Sequence, residues 1–230
     1  MNDFFEISVY FGVFITLVTY AFGLLLKKKF NIDLFNPILI SVALIMLFLV
    51  IFDINYEAYY DGAKYISYLL TPATVCLAIP LYEQFQLLKK NAFAIILGIL
   101  SGTLTSLTGV FIFAFFFKMD HASYVTLLPK SITTAIGMGV SEELGGYVAL
   151  TVAVIIITGL IGNMFAEVFC KLCRISDPVA KGVAIGTSAH ALGTAKALEI
   201  GEIEGAISSL SIVVTGLMTV VLASIFAQFI

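Results

Sequence analysis

The chain has 230 residues, of which 60% are hydrophobic and 12% are charged, and its formal net charge is −3. Because a soluble domain is about half apolar and about a quarter charged, this composition excludes an ordinary soluble protein and predicts an all-α integral membrane protein. The apolar runs follow one another too closely to leave room for a soluble domain, so we expect a single polytopic membrane domain over residues 1–230.

Long apolar runs predict the membrane-spanning helices. The first run follows Asp3 and Glu6, where a cleavable signal peptide would carry positive charge, so we expect it to remain in the bilayer. The third run is interrupted by Pro72 and Pro80, which a continuous helix does not tolerate well. In chain order the runs are 7–26, 35–52, 65–82, 91–117, 144–166 and 205–230.

Two short polar islands interrupt this apolar frame. The first, residues 127–135, reads LLPKSITTA, and the second, residues 186–196, reads GTSAHALGTAK. Each combines a helix-breaking or flexible residue with hydroxyl side chains and a lysine. Irregular backbone at membrane depth is tolerated only where protein or water surrounds it, so we expect the two islands to form one polar site inside the protein.

The distribution of charge predicts the topology. Short loops rich in lysine and arginine stay in the cytoplasm, and the basic clusters are 27–29, 89–90 and 171–181. Keeping them on one side requires 121–143 to enter the membrane and return, while the second island crosses it. This gives about seven crossings (six to eight) plus one re-entrant segment, with the N-terminus outside and the C-terminus cytoplasmic. The alternative is eight crossings, with 171–181 outside.

This topology makes the third run and the second island antiparallel, as an inverted repeat requires. The sequence match between them is short, so the inverted repeat is a hypothesis. It pairs Thr71 with Thr187 and Glu83 with Glu199.

The first island has the chemistry of an anion site. Pro129 removes a backbone donor and disfavours helical geometry at Leu128. A helix that restarts after Pro129 would leave free N–H groups near residues 130–132, where the helix dipole also favours negative charge. Lys130 adds a full positive charge, and hydroxyls add further donors. The set Pro129, Lys130, Ser131, Thr133 and Thr134 suits a small carboxylate or hydroxycarboxylate.

The second island and a point in the third run extend this site. His190 is one of only two histidines, and its mid-segment position makes it the candidate for carrying a proton with the substrate. Glycines give close backbone approach, and hydroxyls give hydrogen bonds. The candidates in the second island are Gly186, Thr187, Ser188, His190, Gly193 and Thr194, and those in the third run are Thr71, Pro72 and Thr74.

Structural interpretations of the same residues stay open. Glycine, serine and threonine also serve tight helix packing in membranes, and for the hydroxyls of 101–108 packing is the favoured interpretation. Lys130 could instead be an interfacial lysine whose charged end reaches the membrane surface. His190 could make a buried interhelical hydrogen bond, and for Asn163 packing or capping is favoured over substrate contact.

Other functional classes have little support. The three cysteines do not make a disulfide framework, and the single C-x-x-C pair of Cys170 and Cys173 is a weak metal or redox signal. There is no Ser-His-Asp spacing, no metal-ligand cluster and no phosphate-binding loop. We therefore expect no enzymatic activity, no metal or other cofactor, and no nucleic-acid partner.

The islands resemble motifs of the LrgB/CidB family of bacterial membrane proteins. Residues 129–134 read P-K-S-I-T-T, as in the family, although Ala135 stands where proline is usual. Residues 186–195 read G-T-S-A-H-A-L-G-T-A, with the small pair at 188–189 transposed, and a third signature lies within 72–82. The resemblance covers nearly the whole chain.

This resemblance implies two functions. The family is described as antiholin-like, acting with a small LrgA/CidA-type membrane protein to modulate murein hydrolase activity and autolysis. Similar plastid proteins export glycolate and glycerate, and bacterial pairs are linked to pyruvate uptake.

We expect a carrier of small monocarboxylates, with Lys130 holding the carboxylate and His190 as the proton-coupling candidate, because a buried cation and paired helix breaks suit transport. The alternative is the antiholin-like role. Expected partners are the carboxylate, the LrgA/CidA-like protein, the lipid bilayer of the bacterial cell membrane and a second copy in a homodimer.

Overall fold

The computed structural model describes residues 10–30, 36–76 and 78–230, and the regular elements in these ranges are all helical. The chain divides into two compact units, residues 1–76 and 77–230, which are described separately. The expected single domain over 1–230 and the N-terminal orientation remain predictions, the latter because residues 1–9 lie outside the described ranges.

The described residues of the first unit form four helices. Asn36 starts the second of them by accepting hydrogen bonds from Ile38 N and Leu39 N, with Pro37 at the first helical position, as the sequence favours. The helices are α1 (Phe11–Phe30), α2 (Pro37–Ile51), α3 (Tyr56–Ser67) and α4 (Leu70–Cys76).

Close packing in this unit depends on a glycine and a small apolar core. A Cβ on Gly12 would collide with the backbone of α3 at Tyr59, so only glycine lets α1 and α3 approach this closely. Thr19 Oγ1 and Ser41 Oγ, 2.8 Å apart, join α1 to α2. The buried apolar core consists of Phe11, Ile15, Ile45 and Ile54.

The second unit carries both polar islands. Its helices are α5 (Ala78–Glu83), α6 (Phe85–Phe117), α7 (His121–Leu127), α8 (Thr134–Glu143), α9 (Val148–Leu172), α10 (Pro178–Ile200) and α11 (Glu202–Phe226), and a 3-10 turn (Ala227–Phe229) follows. Three of them, α6, α9 and α11, are long and apolar enough to cross a membrane, as is α1 of the first unit. The full number of crossings stays a prediction. The third predicted run, 65–82, is divided among the end of α3, α4 and α5.

The long helices α6 and α11 run in parallel. Near their starts, Leu88 and Ile95 of α6 pack with Ile207 of α11. Near their ends, Ala114 of α6 packs with Ala223 of α11. Between these two helices in the chain, α9 runs in the opposite direction.

The first island forms a hairpin of α7, the loop 128–133 and α8. Asp120 caps α7 by accepting from Ser123 N, and the hydroxyl and amide of Ser123 hold the pKa of the Asp120 carboxyl below its usual range. After α8 the chain returns to α7, because Tyr147 N donates to Thr126 Oγ1 near the end of α7 over 2.7 Å. The entry of 121–143 into the membrane and its return to the same side stay a prediction.

The second island forms a second hairpin inside α10, where a crossing helix was expected. His190 interrupts the helix with φ 41° and ψ −138° and separates an arm of residues 178–189 from an arm of residues 191–200. A Cβ on Gly193 would meet the carbonyl of Ile185, which is too far along a straight helix to be reached. The starts and ends of the two arms also meet, since Lys181 and Ile200 line one cavity.

The two hairpins enter the second unit from opposite ends. The lysine-rich end holds the start of α6, the end of α9, both ends of α10 and the start of α11, with Lys89, Lys90, Lys171, Arg174 and Lys181. The C-terminal end holds the ends of α6 and α11, both ends of the first hairpin, and Ile230, whose backbone oxygen lies 2.6 Å from His121 Nδ1.

This arrangement differs from the expected path of the chain. Because the break at His190 folds the second island back, Ile230 lies at the end of the second unit opposite the lysine clusters at 89–90 and 171–181. The prediction had placed the C-terminus on the same side as these clusters. The orientation of the termini in the membrane stays a prediction.

Candidate functional site

A polar cavity of about 800 Å³ lies in the second unit between α6, the first arm of α10 and the tip of the first hairpin. Its volume is within the range of small-molecule sites. Lys130 and Ser131 of the first island line this cavity together with Thr187 and Ser188 of the second. Their role as a binding site stays a prediction. Its polar lining is Asn91, Ser101, Thr105, Ser106, Lys130, Ser131, Asp177, Thr187 and Ser188.

Lys130 is the cation of this cavity. Its Nζ donates to Ser131 Oγ over 2.9 Å, and Ser131 Oγ lies 3.1 Å from Ser106 Oγ of α6. Among the described residues no carboxylate forms an ion pair with Lys130, whereas Lys181 and Lys196 have carboxylate partners. Asp177, the carboxylate of the cavity lining, accepts from Ala180 N and does not form an ion pair with Lys130. A partly buried cation without an ion-pair partner favours binding of an anion.

The hydroxyls of the helical walls face the cavity with their protons already in use. Thr187 Oγ1 donates to Val183 O, Ser188 Oγ donates to Ala184 O, and Thr105 Oγ1 donates to Ser101 O, all within their own helices. These oxygens therefore offer lone pairs as acceptors. The side-chain donors that remain for an anion are the Lys130 ammonium group, the Ser106–Ser131 pair, the Ser101 hydroxyl and the second N–H of Asn91, whose Nδ2 also donates to Leu87 O.

The helix break of the first island lies later than predicted. The N–H groups of Lys130 and Ile132, which were expected to be free, donate to Leu127 O and Pro129 O in consecutive turns. The helix restarts at Thr134, with Thr133 as an N-cap residue whose side chain makes no capping bond. Neither threonine lines the cavity, and Pro129 is buried in the turn. Two tight turns thus replace the direct helix restart.

His190 is buried at the tip of the second hairpin, with 4% of its surface exposed. Its Nε2 lies 2.9 Å from the carbonyl oxygen of Ile155 on α9, and because a carbonyl only accepts, Nε2 carries the proton. The ring packs over Gly159, where a Cβ would collide with it. His190 is not among the residues that line the cavity. The structure shows instead the buried interhelical hydrogen bond that was the alternative interpretation of this residue. Its role in proton coupling stays a prediction.

The remaining candidates of the second island are packing residues in this structure. A Cβ on Gly186 would meet Ser208 and Ser211 of α11, and a Cβ on Gly193 would meet the first arm of its own hairpin. Thr194 Oγ1 lies 2.6 Å from Ser208 Oγ. These small contacts let both arms lie directly against α11.

The candidates of the third run lie in the other unit, on α4. Pro72 is exposed, and the side chains of Thr71 and Thr74 are outside the described part of the chain. Their part in the site stays a prediction.

Several residues of the site were missed or assigned to packing. Ser101, Thr105 and Ser106 line the cavity, although packing was favoured for hydroxyls at 101–108. Their spacing of four and five residues, with Gly98 and Gly102 on the same side, is the signal that marks one polar helix face. Asn163 was expected to pack or cap, and its Nδ2 does donate to Leu192 O beside the break over 2.7 Å.

The fold defines a multi-pass helical membrane protein in which two opposed helical hairpins contribute residues to one cavity. A model of the LrgB-like family matches residues 16–229, and the chain belongs to this family. The chain is 39% identical over 222 residues to the antiholin-like protein LrgB of Bacillus cereus (strain B4264) and to that of Bacillus anthracis (strain CDC 684 / NRRL 3495), covering 96% of both chains in each comparison. No solved structure matches the chain.

The comparisons confirm the LrgB family resemblance of the two islands. The names of the relatives agree better with the antiholin-like alternative than with the carrier expected first, and they do not exclude a carrier.

Proposed function

We propose that the chain is a bacterial cell-membrane carrier for small monocarboxylates of the pyruvate, glycolate or glycerate class. The observation that carries this proposal is Lys130, a cation inside a polar cavity with no carboxylate partner among the described residues. Lys130 would hold the carboxylate, with Ser131 and Ser106 donating to the same group or orienting the ammonium. Thr187 and Ser188 would accept from a hydroxyl group of the substrate.

The two opposed hairpins support alternating access. Broken segments that reach a central site from both sides are a recurring arrangement in secondary transporters. We propose that the second unit moves relative to the first during transport, by rocking or as an elevator. Crosslinks that fix the two units together should then abolish uptake, and full uptake after quantitative crosslinking would refute the movement.

Uptake of labelled pyruvate and glycolate into proteoliposomes tests the carrier. Wild-type protein should show saturable uptake. Lys130→Met, which keeps the aliphatic stem, should lose about tenfold or more because a charge-assisted hydrogen bond contributes about 1.5–3 kcal/mol. Lys90→Met, at an exposed lysine of α6, is the matched control and should retain uptake. Equal loss in both variants would assign the effect to surface charge and remove Lys130 from the site.

Proton coupling is tested separately. We propose that His190 takes up a proton when the hairpin moves and its bond to Ile155 is released. His190→Gln should then make uptake independent of an imposed pH gradient. Unchanged pH dependence in this variant would remove His190 from the coupling mechanism.

The antiholin-like role is the second candidate, favoured by the names of the relatives. In this role the chain, as a monomer or as a homodimer, would act with a small LrgA/CidA-type membrane protein to modulate murein hydrolase activity. Co-expression with such a partner, followed by measurement of autolysis, tests it. An effect on autolysis that Lys130→Met preserves, with no carboxylate uptake, would favour this role over the carrier.

A further inference from the structure

We infer that the polar wall of α6 from Asn91 to Ser106 faces the ligand along a path that reaches Lys130 from the lysine-rich end, and that the C-terminal end of this path is closed in this structure. The inference rests on the proposed anion site at Lys130. It adds the route to that site and the residues of α6 that form it.

The path has two continuous walls that start at the same end. On α6 the lining residues recur every three or four positions from Leu87 to Ser106, and so occupy one helix face. On the first arm of α10 they recur in the same way from Asp177 to Ser188. Both rows begin at the lysine-rich end, where α6 and α10 begin. Lys130 and Ser131 lie at the other end of the two rows.

Glycines bring the two walls into contact along one edge. A Cβ on Gly102 would collide with the Thr187 side chain, and a Cβ on Gly98 would lie 3.1 Å from Val183. The cavity is therefore narrow where α6 meets α10. A larger residue at Gly98 or Gly102 would project into the path or push the two helices apart.

Beyond Ser106 the two faces of α6 differ. Thr108, Gly109 and Ile112 line a separate groove that is formed by α6 residues alone. On the face that meets the first hairpin, Leu107, Val110 and Ala114 have at most 5% of their surface exposed and pack with the tip and first arm of the hairpin, including Tyr124 and Ile132. We call this set the C-terminal cluster; its other members are Val125, Leu128, Val140, Ala223 and Ala227.

Hydrogen bonds also hold this end together. Tyr124 Oη donates to Phe226 O over 2.9 Å, which joins the first hairpin to the end of α11. A path that continued past Lys130 would have to separate these buried apolar side chains, at a large cost in apolar surface exposed to water.

The two ends of the second unit also differ in their number of lysine and arginine residues. The lysine-rich end of the second unit carries Lys89 and Lys90 beside the start of the α6 wall, and Lys171, Arg174 and Lys181 around the base of the second hairpin. At the C-terminal end, Lys118 is the one lysine or arginine among the described residues of this unit. The same end also carries carboxylates, at Glu167, Asp177, Glu199, Glu202 and Glu204, so it has no clear excess of positive charge. The count of lysine and arginine alone, which is what the positive-inside rule uses, assigns this end to the cytoplasm.

Cysteine accessibility tests the route without requiring a known substrate. In a background with Cys76, Cys170 and Cys173 changed to serine, single cysteines are placed at Ser101 in the path and at Val110 in the C-terminal cluster. Ser176→Cys marks the lysine-rich face and Glu142→Cys marks the opposite face, since both positions are exposed. Inside-out and right-side-out vesicles are treated with membrane-impermeant methanethiosulfonates, one anionic and one cationic.

We expect Ser101→Cys to react only in the vesicle orientation in which Ser176→Cys reacts, and faster with the anionic than with the cationic reagent, because Lys130 lies in the same cavity without an ion-pair partner among the described residues. Val110→Cys should stay unmodified in both orientations, although it reacts after denaturation. Leu107→Cys serves the same purpose if Val110→Cys does not fold. Modification of Ser101→Cys from the Glu142 face, or of Val110→Cys at the rate of Glu142→Cys, would overturn the inference.

Glycolate or pyruvate added with the reagent separates this inference from the proposed function. Protection of Ser101→Cys by either acid would support both. One-sided modification without protection would overturn the carboxylate site and leave the one-sided path in place.

Discussion

Lys196 Nζ lies 2.9 Å from Glu167 Oε1 and ties the second arm of α10 to α9. Only 15% of the Lys196 side chain is exposed, whereas Lys171, which contacts the same carboxylate at 3.6 Å, is 80% exposed. Glu167 thus has one sheltered partner and one solvated partner. The sheltered pair holds the returning arm of the second hairpin in place.

This difference predicts unequal effects of two similar substitutions. Lys196→Met should lower the free energy of unfolding by about 1–3 kcal/mol, because it leaves Glu167 without its sheltered hydrogen bond. Lys171→Met should change it by less than about 0.5 kcal/mol, as for an exposed pair. Thermal unfolding of the detergent-solubilised protein measures both, and equal shifts for the two variants would contradict the assignment.

The backbone at His190 predicts an unusual order of stability among its variants. Positive φ is tolerated by glycine and costs other residues about 1–3 kcal/mol. Both His190→Gly and His190→Ala lose the bond to Ile155, but only alanine keeps the strain, so the alanine variant should unfold at the lower temperature. At Ala191, within the second arm, glycine should be the destabilising residue by about 1 kcal/mol. If alanine is the better residue at 190 as well, the helix is continuous there.

Gly159 should be sensitive to a single methyl group. A Cβ there would collide with the His190 ring, so Gly159→Ala should lower the free energy of unfolding by about 1–3 kcal/mol through overpacking. No atom lies within 4 Å of the position that a Cβ on Gly109 of α6 would occupy, so Gly109→Ala should be neutral or should stabilise by up to about 1 kcal/mol. Denaturation in mixed micelles compares the pair, and a tolerated alanine at 159 would place the His190 ring elsewhere.

Ser106 should affect anion binding through Lys130. It lies 3.1 Å from Ser131, which accepts from the Lys130 ammonium group, so Ser106→Ala should weaken uptake or binding of a carboxylate several-fold, about 1 kcal/mol. Ser106→Thr keeps the hydroxyl and should retain most of the activity, while Thr108→Ala, at an exposed position of the same helix, is the control. A loss in Ser106→Thr equal to that in Ser106→Ala would indicate a packing role.

Local chemistry was sufficient to predict the first hairpin. Pro129 cannot continue a helix, and Lys130 with its neighbouring hydroxyls is costly in lipid, so a break next to a polar site followed from these residues alone. Because polar side chains are costly in lipid, the sequence also predicted that Lys130 and Ser131 would lie near Thr187 and Ser188.

The second hairpin could not be predicted in this way. Residues 178–200 contain no proline after Pro178 and have the length of a crossing helix, so composition and length describe a span and a hairpin equally well. The break depends on tertiary partners: Asn163 bonds to Leu192 O, Ile155 O bonds to His190, and Gly159 leaves room for the ring. The wall of α6 was missed because hydroxyls at 101–108 serve helix packing as readily as a cavity.

The order of hairpins and long helices has a consequence of parity. A hairpin returns the chain to the end of the unit that it left, and the long helix after it carries the chain to the other end. Residues 118–172 and then residues 173–226 therefore each change ends an odd number of times. Any second segment of this kind must start at the end opposite to the first. Two such segments that follow each other in the chain thus present their hairpins from opposite ends, although both have the same order of elements.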